Sequence, residues 1–168
     1  MSQATARTVE QSKVQMVEVV LPNDANALGT ILGGKVMHLI DIAGAIAAHR
    51  HSRSPVVTAS VDSLDFLHPI RVGQIIILRA WVTRAFQTSM EVEVNVYLED
   101  YVHGERLQTS TAFVTYVAVD ASGKPAPVPP LIPRTADERR RYREALTRRR
   151  RRLTLATRTH RRYFKRKI

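Results

Sequence analysis

Gly33-Gly34-Lys35-Val36-Met37-His38-Leu39-Ile40-Asp41-Ile42-Ala43-Gly44-Ala45-Ile46-Ala47-Ala48 has the composition of a helix. It is almost uncharged through its middle and turns to small residues after its single acid. On a helix, Asp41 shares a face with Met37 and His38 behind it and with Gly44 and Ala45 ahead. An ionised side chain on an apolar, small-residue face is rarely buried without a partner or a function. Asp41 therefore marks a site. The helical signal runs from about Gly33 to His51 and stops at Ser52-Arg53-Ser54-Pro55, where proline forbids continuation. His49, Arg50 and His51 in the last turn complement the negative end of the helix dipole.

On either side of this helix the chain reads as strands. Val14 to Leu21 is β-branched and apolar, and Pro22-Asn23-Asp24-Ala25-Asn26 closes it as a turn. After the helix come four more candidates. Val56–Phe66 sets Val57, Ala59 and Val61 against Val56, Thr58, Ser60 and Asp62. Gln74–Thr83 contains Ile75-Ile76-Ile77-Leu78, a run suited to burial on both faces. Ser89–Glu99 has the cleanest period of two, with Val92, Val94, Val96 and Leu98 opposite Glu91, Glu93, Asn95 and Tyr97. A turn near His103-Gly104 leads into Arg106–Val119. Short links favour antiparallel neighbours, so the order predicts an α+β fold with one helix against an antiparallel sheet.

The chain of 168 residues has a net charge of +11, and that charge is localised. Residues 134–168 hold 16 of the 26 basic and 3 of the 15 acidic residues, a net of +13, against −2 for residues 1–133. The reading is a near-neutral domain over 13–128, an arm over 1–12, and a proline-rich connector with an arginine-rich tail over 129–168. Thr135-Ala136-Asp137-Glu138 fits a capping box that starts a tail helix. From Arg148 to Arg152 five consecutive arginines repel one another, so order there is expected to need an anionic partner.

The chain contains no cysteine, which excludes disulfides, thiolate metal sites and a thiol nucleophile. No apolar run approaches the roughly 20 residues of a membrane span. Met1-Ser2-Gln3-Ala4-Thr5-Ala6-Arg7 is not followed by the apolar core of a secretion signal, so a cytoplasmic protein is expected.

Pro22-Asn23-Asp24-Ala25-Asn26-Ala27-Leu28-Gly29-Thr30-Ile31-Leu32-Gly33-Gly34, followed by Met37 and Ile40-Asp41-Ile42-Ala43-Gly44-Ala45, resembles the hotdog-fold acyl-CoA thioesterases. The likeness continues through Asp65-Phe66-Leu67-His68-Pro69-Ile70-Arg71-Val72-Gly73 and Thr88-Ser89-Met90-Glu91-Val92. It ends at Tyr116-Val117-Ala118-Val119-Asp120 and Gly123-Lys124-Pro125, covering about residues 13–128. The resemblance implies an antiparallel sheet wrapped around one long helix, with dimers joined edge to edge and commonly assembled as a hexamer, a trimer of dimers. It implies acyl-CoA as substrate and no cofactor, coenzyme A being part of the substrate. It makes Asp41 and Asn26 the catalytic pair, Asn26 coming from the opposing half.

The chemistry is consistent with those residues. Thioester hydrolysis needs an activated water or a carboxylate attack, together with oxyanion stabilisation. Asp41 suits either role, as base or nucleophile, and Asn26 supplies an amide or, read locally, a turn residue. Gly33 and Gly34 open a helix N-terminus with free N–H groups, where the thioester oxygen is expected. Arg84, Thr88 and Ser89 are candidate contacts for the nucleotide end of coenzyme A, and Thr58 and Ser60 for its pantetheine arm. No metal site is expected, because His49 and His51 fall on different helix faces. Leu32 departs from relatives that carry histidine or an aromatic residue there, which bears on acyl preference.

Three other readings compete. A dehydratase would place a histidine before the helix, and residues 22–34 contain none. A non-catalytic acyl-CoA sensor would not need both Asn26 and Asp41. Polyanion binding through the arginine tail would be salt-dependent, and the domain offers no aromatic-interleaved platform for it.

Overall fold

The computed structural model describes residues 5–100 and 103–165, with 156–165 as backbone only. Seven strands and two α-helices are described, besides two short 3₁₀ turns: β1 (Arg7–Thr8), β2 (Val14–Val19), α1 (Gly33–Ser52), β3 (Val56–Leu64), β4 (Ile75–Ala85), β5 (Ser89–Glu99), β6 (Arg106–Ala118), β7 (Leu131–Ile132) and α2 (Ala136–Lys165). Five of the strands form an antiparallel sheet in the order β2-β4-β5-β6-β3. β1 and β7 pair in parallel apart from it.

Alternation along the strands sorts their side chains onto two faces. Ile76, Leu78, Ala80 and Val82 of β4, with Met90, Val92, Val94 and Val96 of β5, are buried toward α1. The helix meets them with Val36, Leu39, Ile40, Ala43, Ala47 and Ala48, spaced by three and four residues as one face requires. The alanines keep the helix close to the sheet. Arg53, in the left-handed conformation at φ 58°, ends α1 by returning its N–H to the His49 carbonyl at 2.8 Å, two residues before Pro55.

His51 corrects one expectation. It is fully buried rather than offering charge to the helix end, and burial lowers its pKa so that it stays neutral. Its Nε2 lies 2.9 Å from the Pro129 carbonyl, tying the end of α1 to the proline connector.

The opposite face of the sheet carries Thr83, Ser89, Glu91, Glu93 and Asn95, and these are buried as well. The cover is α2. Its capping box forms as expected: Thr135 accepts from the Glu138 N–H and Glu138 from the Thr135 N–H, both at 3.1 Å. Beyond it several arginines find their anions within the domain. Arg148 donates to Glu91 at 2.8 Å, Arg141 to Glu93, and Arg152 to Asp62 at 2.6 Å. Arg148 also lies 3.7 Å above the Phe113 ring and Arg149 4.0 Å above Phe86. Three of the five consecutive arginines, Arg148, Arg149 and Arg152, are thus received by the domain's own carboxylates and rings, and the helix continues through the run. Across the composition boundary at residue 128, α2 packs onto the sheet.

Candidate active site

Asp41 stands on the flank of α1 nearest the edge strand β3, and in the single chain it is exposed. Thr58 of β3 donates its hydroxyl to Asp41 Oδ1 at 2.6 Å. Tyr116 of β6 reaches the same residue from within the core, its hydroxyl 2.9 Å from the Asp41 carbonyl and 3.3 Å from Oδ1. Thr58 and Tyr116 are direct partners across the β3–β6 ladder, so the strand register brings both hydroxyls to one carboxylate. The register slips between Thr58 and Ser60, immediately beyond. Burial first, and then the Asp41 charge, raise the Tyr116 phenol far above its ordinary range, so it remains a donor. Both hydroxyls converge on Oδ1, and among the described residues Oδ2 accepts no hydrogen bond. One oxygen is anchored and the other is available to a reacting atom.

Asn26 lies in the loop before α1. Its Oδ1 accepts from the Leu28 N–H at 2.9 Å and the Thr30 N–H at 3.2 Å, and its Nδ2 lies 2.9 Å from Thr30 Oγ1. These bonds stay within its own loop, and the single chain does not join it to Asp41. The loop is pinned where it enters the helix: the Leu32 N–H donates to Asp24 O at 2.8 Å, and Lys35 pairs with Asp24 at 3.1 Å.

Among the described residues no side chain caps the start of α1. A Cβ on Gly34 would meet open space, whereas one on Gly33 would come within 3.5 Å of Phe66. A cavity of about 360 Å³ opens beside Gly33, with Ile31, Val36, Phe66 and Ile70 in its wall.

The candidate coenzyme A contacts divide. Thr58 instead holds Asp41, and Ser60 follows on β3, half-buried. Thr88 is in the β4–β5 turn, its carbonyl accepting from the Ala118 N–H at 3.0 Å. Arg84 and Ser89 are engaged by α2: Arg84 donates to Tyr142 O at 2.9 Å and stacks on the Tyr142 ring at 4.0 Å, and Ser89 accepts from Arg149 at 3.1 Å. In the folded chain these two serve the contact between helix and sheet. Sequence reasoning did not give Tyr116 a role; the available signal was a tyrosine in a core strand, whose hydroxyl needs a buried partner.

The flank around Asp41 is open. Val57 and Val61 of β3, with Met37, Phe66 and Leu67, are at least half-exposed beside a sheet edge that no described strand pairs.

Residues 28–105 match the thioesterase superfamily model. An uncharacterized acyl-CoA thioester hydrolase of Bacillus subtilis is 45% identical over 132 residues, 79% of this chain and 77% of that one. The chain belongs to the thioesterase superfamily. Its helix and sheet are the hotdog fold that the resemblance implied. A solved hexameric acyl-CoA thioesterase, without ligand, superposes with a TM-score of 0.87 at 45% identity, covering 90% of this chain and 97% of that one. An acyl-CoA hydrolase of Staphylococcus aureus, solved with butyryl coenzyme A, coenzyme A and coenzyme A disulfide, superposes with a TM-score of 0.86. It is 36% identical and covers 92% of this chain and 94% of its own. Structures of the same hydrolase exist with an Asp, an Asn or a Thr replaced by Ala. Among the described residues of this chain, no helix is long and apolar enough to cross a membrane.

Proposed function

We propose that this protein hydrolyses acyl-CoA thioesters to free acid and coenzyme A at a site shared by two copies of the chain. Asp41 of one copy works with Asn26 of the partner subunit, the dimer being the catalytic unit of a hexamer. The observation that carries this reading is the Asp41 carboxylate, held through Oδ1 by Thr58 and left free at Oδ2 on an uncovered apolar flank. Two further facts support it. The Asn, Asp and Thr substituted in the Staphylococcus aureus hydrolase are separated by the same intervals as Asn26, Asp41 and Thr58. Relatives described as hexameric share this fold.

In this reading the thioester carbonyl oxygen lies against the N–H groups of Gly33 and Gly34, whose positive dipole end stabilises the oxyanion. The cavity beside Gly33 receives the acyl chain against Ile31, Val36 and Phe66. Oδ2 either takes the proton of a water that attacks the carbonyl carbon or attacks that carbon itself; the C–S bond then breaks to release the thiolate of coenzyme A, and in the second case a water hydrolyses the acyl–Asp41 anhydride to give the acid and restore the carboxylate. The amide of Asn26 from the partner subunit orients the water or the thioester. Ser60 and Thr88 contact the coenzyme A arm, and the protein works in the cytoplasm.

The chain has no thiol of its own, so a chromogenic thiol reagent reports released coenzyme A without background. Turnover is expected on a series of acyl-CoA chain lengths and lost in Asp41→Ala and Asn26→Ala. Mixing those two inactive variants should restore part of the activity, because each hybrid dimer then holds one complete site. Undiminished turnover in both variants would remove the proposed site. Label from isotopically labelled water found in the Asp41 carboxylate after a single turnover identifies direct attack.

A further inference from the structure

The geometry points to Tyr116 as a positioning residue that holds Asp41 in its reactive setting, and to Gly44 as the residue that lets it do so. This role rests on the reading of Asp41 as the reacting carboxylate. Tyr116 is fully buried among the apolar side chains of β5, β6 and α1, where a bare phenylalanine would fill the same space without a polar group to satisfy. Its hydroxyl instead reaches α1 beside Gly44 and meets both the main chain and the side chain of Asp41, at 2.9 and 3.3 Å. Thr58, its cross-strand partner, holds the carboxylate from the open side at 2.6 Å. Asp41 is thus fixed from two directions, its backbone by the core and its carboxylate chiefly by the edge strand.

Gly44 explains how a tyrosine reaches that point. A Cβ there would stand 2.3 Å from the Tyr116 hydroxyl, closer than real contacts allow, and a tight 3.0 Å from two ring atoms. Glycine within a helix is locally unfavourable relative to alanine. The close approach of Tyr116, three residues on from Asp41, accounts for its presence. Burial also keeps the phenol protonated, so its donor role persists across the pH range in which the enzyme can be assayed.

Tyr116→Phe keeps the ring and removes the hydroxyl. It is expected to lower kcat about 10-fold with KM unchanged, the scale of losing one hydrogen bond near a charged group. Gly44→Ala keeps the hydroxyl but drives it off Asp41, and should lower kcat in the same way. It carries the test should Tyr116→Phe fold poorly. In an Asp41→Ala background, adding Tyr116→Phe should leave the residual rate where it was, which a purely structural role would not predict. Wild-type kcat in Tyr116→Phe together with an inactive Asp41→Ala overturns the role of Tyr116 and leaves the proposed site standing. Equal losses from Tyr116→Phe in the wild-type and Asp41→Ala backgrounds overturn it too. Full activity in Asp41→Ala overturns the site itself and, with it, this role.

Discussion

The two faces of the sheet are covered by opposite chemistry. Toward α1 the contact is Val, Ile, Leu and Ala, and its stabilisation follows area and packing without regard to direction. Toward α2 it is carboxylate under guanidinium: Glu91 beneath Arg148, Glu93 beneath Arg141, Asp62 beneath Arg152. Each pair repays its desolvation only with good geometry and further donors. Glu91 has one in Thr83 at 2.7 Å, and Glu93 in Asn95 at 3.1 Å. The apolar face tolerates small shifts. The ionic face is specific, because a misplaced α2 leaves buried charges alone.

The sharpest way to break this comparison is truncation after Leu131. It would uncover Glu91, Glu93, Trp81 and Phe113 together. The thermal midpoint should fall further than for any single substitution, with loss of soluble protein. A truncated chain as stable as the whole would show that the ionic face contributes nothing net.

Next in size is Arg148→Ala, which leaves Glu91 buried without its counter-ion and should cost about 3–5 kcal/mol in chemical denaturation. Leu78→Ala on the apolar face should cost about 2–5 kcal/mol through a cavity. The two are told apart by Glu91→Gln, which should rescue part of the first and none of the second. Arg152→Ala removes a pair nearer solvent and should cost about 1 kcal/mol. Added salt should shrink that difference while leaving the Leu78→Ala penalty in place.

The smallest effect concerns His51, where the end of α1 meets the connector that leads to α2. Its pKa is lowered in the folded chain, so below the ordinary value of about 6.5 the unfolded chain binds the extra proton first. Stability should therefore fall as pH drops through that window and recover as it rises. In His51→Gln the thermal midpoint should be lower at pH 7 but flatter between pH 7 and 5. An equally steep decline in the variant would assign that pH dependence to other groups.

Much of the apolar face could be read along the chain, because helix and strand periods are local. The helix expected from about Gly33 to His51 is found at Gly33–Ser52, and Ser89–Glu99 is a strand over the expected bounds. The capping box at Thr135 and Glu138 needed three residues of context and formed. The ionic face could not be read in this way. Arg148 and Glu91 are 57 positions apart, and Arg152 and Asp62 are 90 apart. Composition presents the first group as a repelling run and the second as ordinary polar positions on strands.

The site divides along the same line. Asp41 was visible because a lone carboxylate contradicts its neighbours, a contrast carried within one helix. That Thr58 would hold Asp41, and that Tyr116 would reach it past Gly44, depended on the β3–β6 register and on the depth at which α1 lies against the sheet. The sequence by itself determined the helix, the strands and the residue that breaks their pattern, since each depends on neighbours a few positions away. The tertiary structure decided which oxygen of Asp41 is tethered and where the arginines settle, since both depend on distances between elements brought together only by folding.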